Sequence, residues 1–507
     1  MTMYKSVAIV LVLFLVAVSS FSQQITYSLP QHEDDKNMNF EVLGKVNNQI
    51  LIFKNVRSKY ALSIYSANMD LVEKVELDFI PSKTFNVDFI VYPTYMYCIY
   101  QYHTKGMVYC MGAKLDESGK IVGTPVELDK AEVGFFGETR IYNLVHSEDK
   151  KKIMVYKIQK RRGTLELSSI LMNSEFDVLK RCLLGLPFDD QKDDYGNFSL
   201  DNEGNLIFTR AEKNGLRNAI SKLSLYNVLA EDIKDTMYFR DVNLSKNYLD
   251  GIKLKVDNIN KTYIINAIFF KQKRGNVEGF FTSVFRQNDE IDYVNQFISI
   301  SDSLKYAALT DANLKSALNN FMIKNIIVKK DGGYILIAED FYTRQSDNTW
   351  NRFDNFYNGY NWTPYGYYYS PYGNQFYRPF NRFGNFQNTR YLYNNILVLG
   401  FSNMATLEWG TVIEKQQDED ETDNHLSFIN FNSGSEIRFL FNKKTKRKFL
   451  LNDISVNAEG AIFKNPVLRS QDRGYEFMPQ FGKQVGAKQL IIPCTYRNYI
   501  CFAKIEF

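Results

Sequence analysis

Histidine and tryptophan are scarce in this sequence, with four and three residues in a chain of 507. The histidines His32, His103, His146 and His425 stand singly, and none has a second ligand at the spacing that metal sites use. A Gly-x-Ser-x-Gly elbow and a phosphate-cradling glycine loop are also missing from the sequence. The sequence therefore predicts no catalytic residue, no metal and no cofactor of the common hydrolase or nucleotide-binding types.

An excess of charge of either sign is lacking too. Lys and Arg number 61 against 57 Asp and Glu, which gives a net charge of +4. Nucleic-acid binding requires a much denser basic footprint. We expect no nucleic-acid partner.

A long apolar run occurs at one place, near the N-terminus. One lysine, Lys5, precedes an apolar run from Val7 to Val18, and the small residues Ser20 and Ser22 follow. The pattern predicts a signal peptide at residues 1–22, because the run is short for a bilayer span. We expect no transmembrane segment after cleavage and an exported protein that is periplasmic, outer-membrane associated or extracellular.

Cysteine is limited to five residues. Cys494 and Cys501 flank a hairpin turn at Arg497-Asn498, which would place them opposite each other within disulfide range. Cys98 and Cys110 would face each other in a similar way across a three-residue turn at 103–105. The sequence thus suggests the disulfides Cys494–Cys501 and Cys98–Cys110, with Cys182 as a buried apolar residue.

What the sequence has in abundance is short apolar strands separated by polar turns. From Phe40 onward, a cycle of strand, turn and strand recurs about every 45–50 residues, which is typical of β-propeller blades. The last cycle offers three strands, and an isolated N-terminal strand at Ile25–Leu29 would supply the fourth. We predict an all-β fold: one propeller domain, residues 23–507, of seven or eight blades closed by the N-terminal strand.

An outer-membrane β-barrel is the alternative architecture, because the last residues from Tyr499 to Phe507 alternate as a barrel strand does. Continuous apolar runs such as ILVLGF favour strands buried on both faces instead. Two local predictions complete the chain: a short helix within Thr310–Asn320, and a solvated loop at the acidic run from Asp418 to Asp423.

The most unusual stretch is the insertion at residues 345–390, rich in Tyr, Asn and Phe. It interrupts a blade between its second and third strands, where rings and arginines would be displayed for recognition or would fold over the scaffold. Its candidate binding residues are Trp350, Arg352, Phe353, Tyr357, Tyr360, Trp362, Tyr365, Tyr367, Tyr368, Tyr369, Tyr372, Arg378 and Arg382.

The motifs DGGYILIAEDFY, NNILVLGF and LEWGTVIEKQQ, with the ending RNYICFAKIEF, resemble secreted, largely uncharacterised β-propeller proteins of Bacteroidota-type bacteria. The resemblance implies a core aromatic role for Trp409 in an outer strand. It also implies O-glycosylation at Thr236 and Ser303, which stand in Asp-Thr-Met and Asp-Ser-Leu triplets. The resemblance carries over no catalytic or binding activity.

The expected function is therefore a non-catalytic binding or scaffold protein of the bacterial cell envelope, which contacts another envelope protein through its loops. The first alternative is a glycan-binding protein that uses the aromatic insertion. The second is a propeller enzyme that acts on polysaccharide with acids drawn from several blades.

Overall fold

The computed structural model describes fourteen stretches of the chain. These are residues 23–34, 38–57, 59–133, 141–161, 164–189, 192–213, 219–232, 234–273, 275–287, 293–310, 313–345, 389–445, 448–468 and 474–507. The predicted signal peptide lies outside the described residues.

Nearly all of the described secondary structure is β, arranged in small antiparallel sheets that we group as units 1 to 8. Unit 1 contains β2 (Asn39–Val46), β3 (Gln49–Val56), β4 (Lys59–Tyr65) and β5 (Leu71–Glu76). Unit 2 contains β6 (Thr84–Val91), β7 (Met96–Thr104), β8 (Met107–Leu115) and β9 (Ile121–Glu132). Unit 3 contains β10 (Tyr142–His146), β11 (Lys152–Arg161), β12 (Thr164–Asn173) and β13 (Val178–Leu186). Unit 4 contains β14 (Asp193–Leu200), β15 (Leu206–Lys213), β16 (Ile220–Val228) and β17 (Met237–Val242).

The second half of the chain continues the pattern. Unit 5 contains β18 (Tyr248–Asp257), β19 (Thr262–Phe270), β20 (Gly279–Arg286) and β21 (Tyr293–Ser299). Unit 6 contains β22 (Phe321–Val328), β23 (Tyr334–Gln345), β24 (Thr389–Phe401), β25 (Leu407–Ile413) and the short β26 (Gln417–Asp420). Unit 7 contains β27 (Phe428–Asn432), β28 (Glu436–Thr445), β29 (Lys448–Asn457) and β30 (Ile462–Lys464). Unit 8 contains β31 (Tyr475–Phe477), β32 (Lys483–Gly486), β33 (Gln489–Tyr496), β34 (Tyr499–Glu506) and the N-terminal β1 (Gln24–Tyr27).

Five units share the same turn between their third and fourth strands. In each, the side-chain oxygen of Ser66, Asp116, Asn173, Ser402 or Asn457 accepts hydrogen bonds from the backbone N–H groups two and four residues later. The residue three positions later has a positive φ in every case: Met69, Gly119, Phe176, Ala405 and Gly460. Local side-chain to backbone bonds of this kind end strands at defined residues, so the repeat lies in the turn chemistry as well as in the apolar pattern.

Apolar cores lie between consecutive units. One buried cluster joins each unit to the next, from units 1 and 2 through to units 7 and 8. The first strands of several neighbouring units lie close together, as β2 does to β6, β14 to β18 and β18 to β22. The first strands of these units are therefore neighbours.

Unit 8 packs against unit 1. Phe40 and Ile52 of unit 1 share a buried cluster with Ile491 and Phe502 of unit 8. The N-terminal strand β1 pairs antiparallel with β34, from Gln24 opposite Glu506 to Tyr27 opposite Ala503. The first and last strands of the chain thus lie side by side in one sheet.

Two expectations need correction. The helix α1 occupies Asp302–Ala308, capped by Ser301, whereas the predicted region Thr310–Asn320 holds one 3-10 turn, Leu314–Ser316. The Ser301 side chain satisfies the N–H of Leu304, and this cap starts the helix upstream of the predicted position. The described strands form seven separate sheets, whereas the barrel alternative requires a single continuous sheet. Units 4 and 5 share one of these sheets, because Ile220 of β16 pairs with Leu249 of β18.

Candidate functional site at the root of the insertion

The insertion leaves unit 6 through a long two-stranded stem made of β23 and β24. Strand β22 accompanies β23 as far as the pair Phe321 and Asp340. Beyond that point β23 and β24 continue as a pair up to Gln345 opposite Thr389. The segment 346–388 therefore joins the second and third strands of one sheet, and its two ends are held together by a regular ladder.

All thirteen candidate binding residues of the insertion, from Trp350 to Arg382, lie outside the described residues. What the structure describes is the stem and the groups that surround it. The edge of β24 is covered by β26, which pairs with it from Arg390 opposite Asp420 to Tyr393 opposite Gln417. The guanidinium of Arg390 also donates to Asp418 Oδ2 at 2.6 Å.

An ion cluster lies at the base of the stem, and we call Lys324, Glu339, Lys415 and Ser427 the root cluster. All of its members except the exposed Lys324 are buried. Glu339 is fully buried, with Lys415 Nζ 2.8 Å from its Oε1 and Lys324 Nζ 3.1 Å from its Oε2. The Ser427 hydroxyl donates to Oε2 at 2.7 Å. Burial alone would raise the pKa of Glu339, but the charges of Lys415 and Lys324 hold it below its usual value. The carboxylate therefore stays charged. It links β23 to β22 through Lys324, to the segment after β25 through Lys415 and to the segment before β27 through Ser427.

A second set of polar contacts surrounds Tyr393 on β24. Its hydroxyl donates to Asp423 Oδ2 at 2.7 Å, and both Lys324 and Lys415 lie over its ring, 5.3 and 5.7 Å from the centroid. Next to the root cluster, Asp340 accepts from the Thr310 hydroxyl at 2.9 Å. Burial raises the pKa values of Asp340 and Asp423 above the usual range. The stem is therefore braced by buried polar groups as well as by its ladder.

His425 connects this region to unit 8. Its Nδ1 lies 2.9 Å from Glu419 Oε1 on β26, and its Nε2 lies 3.1 Å from Thr495 Oγ1 and 3.8 Å from Glu476 Oε2. Burial would lower its pKa, but the hydrogen bond and charge of Glu419, together with the charge of Glu476, raise it above the usual 6.5. Protonated His425 donates from both ring nitrogens and links β26 to β31 and β33.

The acidic run predicted as a solvated loop is partly a strand, although Asp418, Asp420 and Glu421 are exposed to solvent as expected. Asp418 to Asp420 form part of β26, Glu419 binds His425, and the half-buried Asp423 accepts a hydrogen bond from Tyr393. Three of its acids interact with basic groups: Asp418 with Arg390, Glu419 with His425, and Asp423 with the charge of Lys324. One sequence signal could have revealed the cluster: the adjacent acids Glu339 and Asp340 follow the apolar run YILIA inside a strand that is otherwise buried.

Of the two predicted cysteine pairs, the structure places one pair opposite each other and separates the other. The register of β33 and β34 places Cys494 directly opposite Cys501. In unit 2, however, the turn is the two-residue Lys105-Gly106, and Cys98 lies opposite Ala113 while Cys110 lies opposite Gln101. Cys98 packs in the core shared with unit 1 and Cys110 in the core shared with unit 3, so these two thiols point to opposite faces of the sheet and cannot pair.

The two predicted glycosylation residues lie at the surface to different extents. Ser303 is exposed in the first turn of α1, with its hydroxyl 3.1 Å from that of Ser301. Thr236 is half-buried before β17. Ser303 is therefore the more accessible of the two.

A separate group of titratable residues lies on the first strands. Glu41 on β2 has a pKa raised to about 7, mainly by burial and further by the charge of Asp88 on β6, while the charge of Lys483 on β32 acts in the opposite direction. His146 on β10 has a pKa lowered to about 4 by burial and by Lys150 and Lys483, although its hydrogen bond with the Ser147 carbonyl acts against this. These charges interact although they come from four different units.

Within the fourteen described stretches, no group of three or more His, Cys, Asp or Glu is arranged to hold a metal ion. None of the helices in those stretches has the length and apolar character needed to cross a bilayer.

Comparison with protein-family models finds no match, and comparison with curated protein sequences finds none either. Among solved structures, the chain is similar to the polysaccharide lyase Uly1, at 10% identity and a TM-score of 0.40, over 82% of this chain and 89% of that one. It is also similar to prolyl oligopeptidase B from Galerina marginata, at 8% identity and a TM-score of 0.41, over 92% of this chain and 56% of that one. A third similar structure is the dihydro-heme d1 dehydrogenase NirN, at 11% identity and a TM-score of 0.36, over 93% of this chain and 73% of that one.

Proposed function

We propose that the protein is an exported, non-catalytic binding or scaffold protein of the bacterial cell envelope, and that the insertion at 345–390 is its contact surface for another envelope protein. The observation that carries the proposal is the braced stem. The ladder up to Gln345 and Thr389, the cover by β26 and the root cluster all fix the ends of one aromatic segment to a rigid sheet. A rigid sheet that presents a loop rich in rings and arginines is a common arrangement for recognition.

The proposed scaffold is an eight-bladed β-propeller in which units 1 to 8 are the blades and β1 completes the eighth. Three observations support this arrangement: the shared core of units 8 and 1, the pairing of β1 with β34, and the contacts among first strands. In an antiparallel unit of four strands, the second and fourth strands run in the same direction and end on the same side. The turn after the second strand therefore lies on the same side as the connection from the fourth strand to the next unit. The insertion would therefore emerge on that face of the propeller.

The test is a deletion of residues 346–388 in which Gln345 and Thr389 are joined by an Asn-Gly turn. Partners captured from envelope extracts by the full chain should be lost with the deletion, while the thermal unfolding midpoint stays unchanged. A matched control replaces Arg352, Arg378 and Arg382 by serine and leaves the rings in place, which separates the contribution of charge from that of stacking. Unchanged partners after the deletion would remove the insertion from the proposal.

The glycan-binding alternative is tested with the same two chains. If the rings bind sugar, a glycan array should give signals with the full chain that disappear in the deletion. Binding to a glycan that persists in the deletion rejects the insertion as the sugar site. Tyr and Trp stack on sugar faces without any need for charge, so the serine control should keep its glycan signals and lose those protein partners that depend on the arginines.

A polysaccharide-cleaving enzyme is the second candidate, and the carboxyl of Glu41 is the observation that favours it. A pKa raised to about 7, mainly by burial, lets a carboxyl exchange protons near neutral pH. Release of reducing ends from uronate-containing and neutral polysaccharides by the intact protein, abolished in Glu41→Gln, would support this candidate. The absence of any activity that Glu41→Gln removes would reject it.

A further inference from the structure

The cysteine pair of the last hairpin lies at the place where the two ends of the chain meet. Cys494 on β33 and Cys501 on β34 are both fully buried, and they are direct cross-strand neighbours. The hairpin turn is Arg497-Asn498, with Tyr496 opposite Tyr499. Counting outward from this turn makes Cys494 and Cys501 a hydrogen-bonded pair, whose Cα atoms are about 5.5 Å apart, within the range of disulfides.

The side chains of Cys494 and Cys501 point into the same apolar core. Cys494 and Cys501 lie directly opposite each other, and both side chains belong to the buried cluster that joins units 7 and 8. The other three cysteines differ in this respect. Cys98 and Cys110 lie on opposite faces of unit 2, and Cys182 belongs to the core of units 3 and 4.

The pair also lies next to the N-terminal segment. Strand β1 pairs with β34 up to Tyr27 and Ala503, after which the Ser28 N–H donates to the Phe502 carbonyl and the Ile500 N–H donates to the Asp34 carbonyl at 2.6 Å. Cys501 therefore lies between two points at which the start of the chain is attached to its end. A covalent link from β34 to β33 would hold the strand to which that segment is bound.

We propose that Cys494 and Cys501 form a disulfide in the mature protein, and that it fastens the strand on which the N-terminal segment docks. Two S–H bonds are lost and one S–S bond forms. The two protons and two electrons pass to an external disulfide, such as that of a thiol–disulfide oxidoreductase in an oxidising compartment. Cys98, Cys110 and Cys182 remain thiols.

Burial sets the order of events. Cys494 and Cys501 are both fully buried, so neither thiol can reach an external disulfide once the last sheet is packed. Burial also raises the pKa of the Cys494 thiol well above the usual 9.0. The bond therefore forms before the last sheet is packed. Once formed, it is shielded from reductants by the same packing.

The first experiment counts thiols in the full-length protein purified from the cells that produce it, with alkylation at lysis and again after denaturation. Three free thiols, together with a peptide linking Cys494 to Cys501, are expected. Cys98→Ala should leave two free thiols and the same linked peptide, whereas Cys494→Ala should leave four and no linked peptide. Five free thiols in the unsubstituted chain, or a link that involves Cys98 or Cys110, would overturn the proposal.

The second experiment tests the order of events without reference to compartment. Denatured, reduced chain is refolded in a glutathione redox buffer and compared with chain refolded under full reduction and oxidised afterwards. The linked peptide is expected in the first sample and not in the second, and dithiothreitol should break the link only when guanidinium chloride is present. Rapid oxidation of the already folded chain, or rapid reduction in native buffer, would contradict the shielding, and failure to form the link in the first sample would overturn the disulfide itself.

Discussion

The ammonium of Lys54 lies 2.5 Å from Asp34 Oδ2, and each of these side chains is 4% exposed. Lys54 is on β3 of unit 1, whereas Asp34 belongs to the N-terminal segment that also accepts the Ile500 N–H of unit 8. Lys54 donates in addition to the Tyr65 hydroxyl at 3.0 Å and lies over the Phe502 ring. One buried ion pair therefore connects the first unit, the N-terminal segment and the last unit.

Removing one member of this pair should weaken the whole fold. Lys54→Met leaves a buried carboxylate, and Asp34→Asn a buried ammonium, so each should lower the free energy of unfolding by about 3–5 kcal/mol. Urea unfolding followed by tyrosine fluorescence measures the loss. The double variant should lose less than the sum of the two single losses, because it leaves no unpaired charge. Additive losses would mean that the two groups are not coupled.

The bridge made by His425 predicts a pH dependence of known sign. The pKa of His425 in the folded chain lies above the usual 6.5, so the unfolded state binds fewer protons than the folded state between these two values. The stabilisation is complete below pH 6.5 and is lost as the pH rises through the folded-state pKa. The free energy of unfolding, measured by urea titration at a series of pH values from 5.5 to 9, should therefore fall more steeply in the wild type than in His425→Asn.

Glu419→Gln is the matched control for this prediction. It keeps a hydrogen-bond acceptor for Nδ1 but removes the charge that opposes burial, so the pKa of His425 should move down and the pH dependence should shrink. If His425→Asn and the wild type show the same slope between pH 6.5 and 9, the bridge contributes nothing to stability.

The local part of the fold was accessible from sequence. Apolar strands and turn residues such as Asp331-Gly332-Gly333 indicate where strands lie, because these signals act over a few residues. The last cycle has three strands instead of four, and this count predicted that the N-terminal strand pairs with the C-terminal strands. The structure confirms the pairing, with Ile25 opposite Ile505. The acidic run was missed as a strand because its pairing with β24 is not encoded in its own residues. The Cys98–Cys110 pair failed for a different reason. A turn of two residues instead of three changes the register, and in a strand that moves a side chain to the opposite face.

The buried polar network was beyond reach of sequence. His425 and Thr495 are separated by 70 residues, and Ser427 and Glu339 by 88. Each of these contacts depends on how one unit is rotated against the next, which no local pattern encodes. What the sequence does contain is the anomaly of Glu339 and Asp340 in an apolar strand, which indicates that partners must exist without naming them.

Trp409 and two glycines provide a test of packing between units 6 and 7. A Cβ added at Gly460 would lie 2.5 Å from Trp409 Cε3, and Gly400 lies against the other part of the same indole. Gly460 also has a φ of +82°, so Gly460→Ala combines backbone strain with a clash. Gly434 has a φ of +103° and open space at its Cβ position. Gly460→Ala should therefore lower the free energy of unfolding by about 1–3 kcal/mol more than Gly434→Ala, and equal losses in urea unfolding would show that strain alone is responsible.

The root cluster gives a final prediction that bears on the proposed function. Glu339→Gln removes the charge between Lys415 and Lys324 and leaves Lys415 fully buried without a counter-ion, which should cost about 3–5 kcal/mol of unfolding free energy. Because the folded-state pKa of Glu339 lies below the usual 4.5, its stabilisation is present above pH 4.5 and is lost as the pH falls through the lower folded value.

The double variant Glu339→Leu, Lys415→Met should recover most of the loss by replacing the ion pair with apolar groups. If that variant is stable but captures fewer envelope partners than the wild type, the geometry of the stem matters for binding. If stability and capture both return, the cluster serves the fold alone.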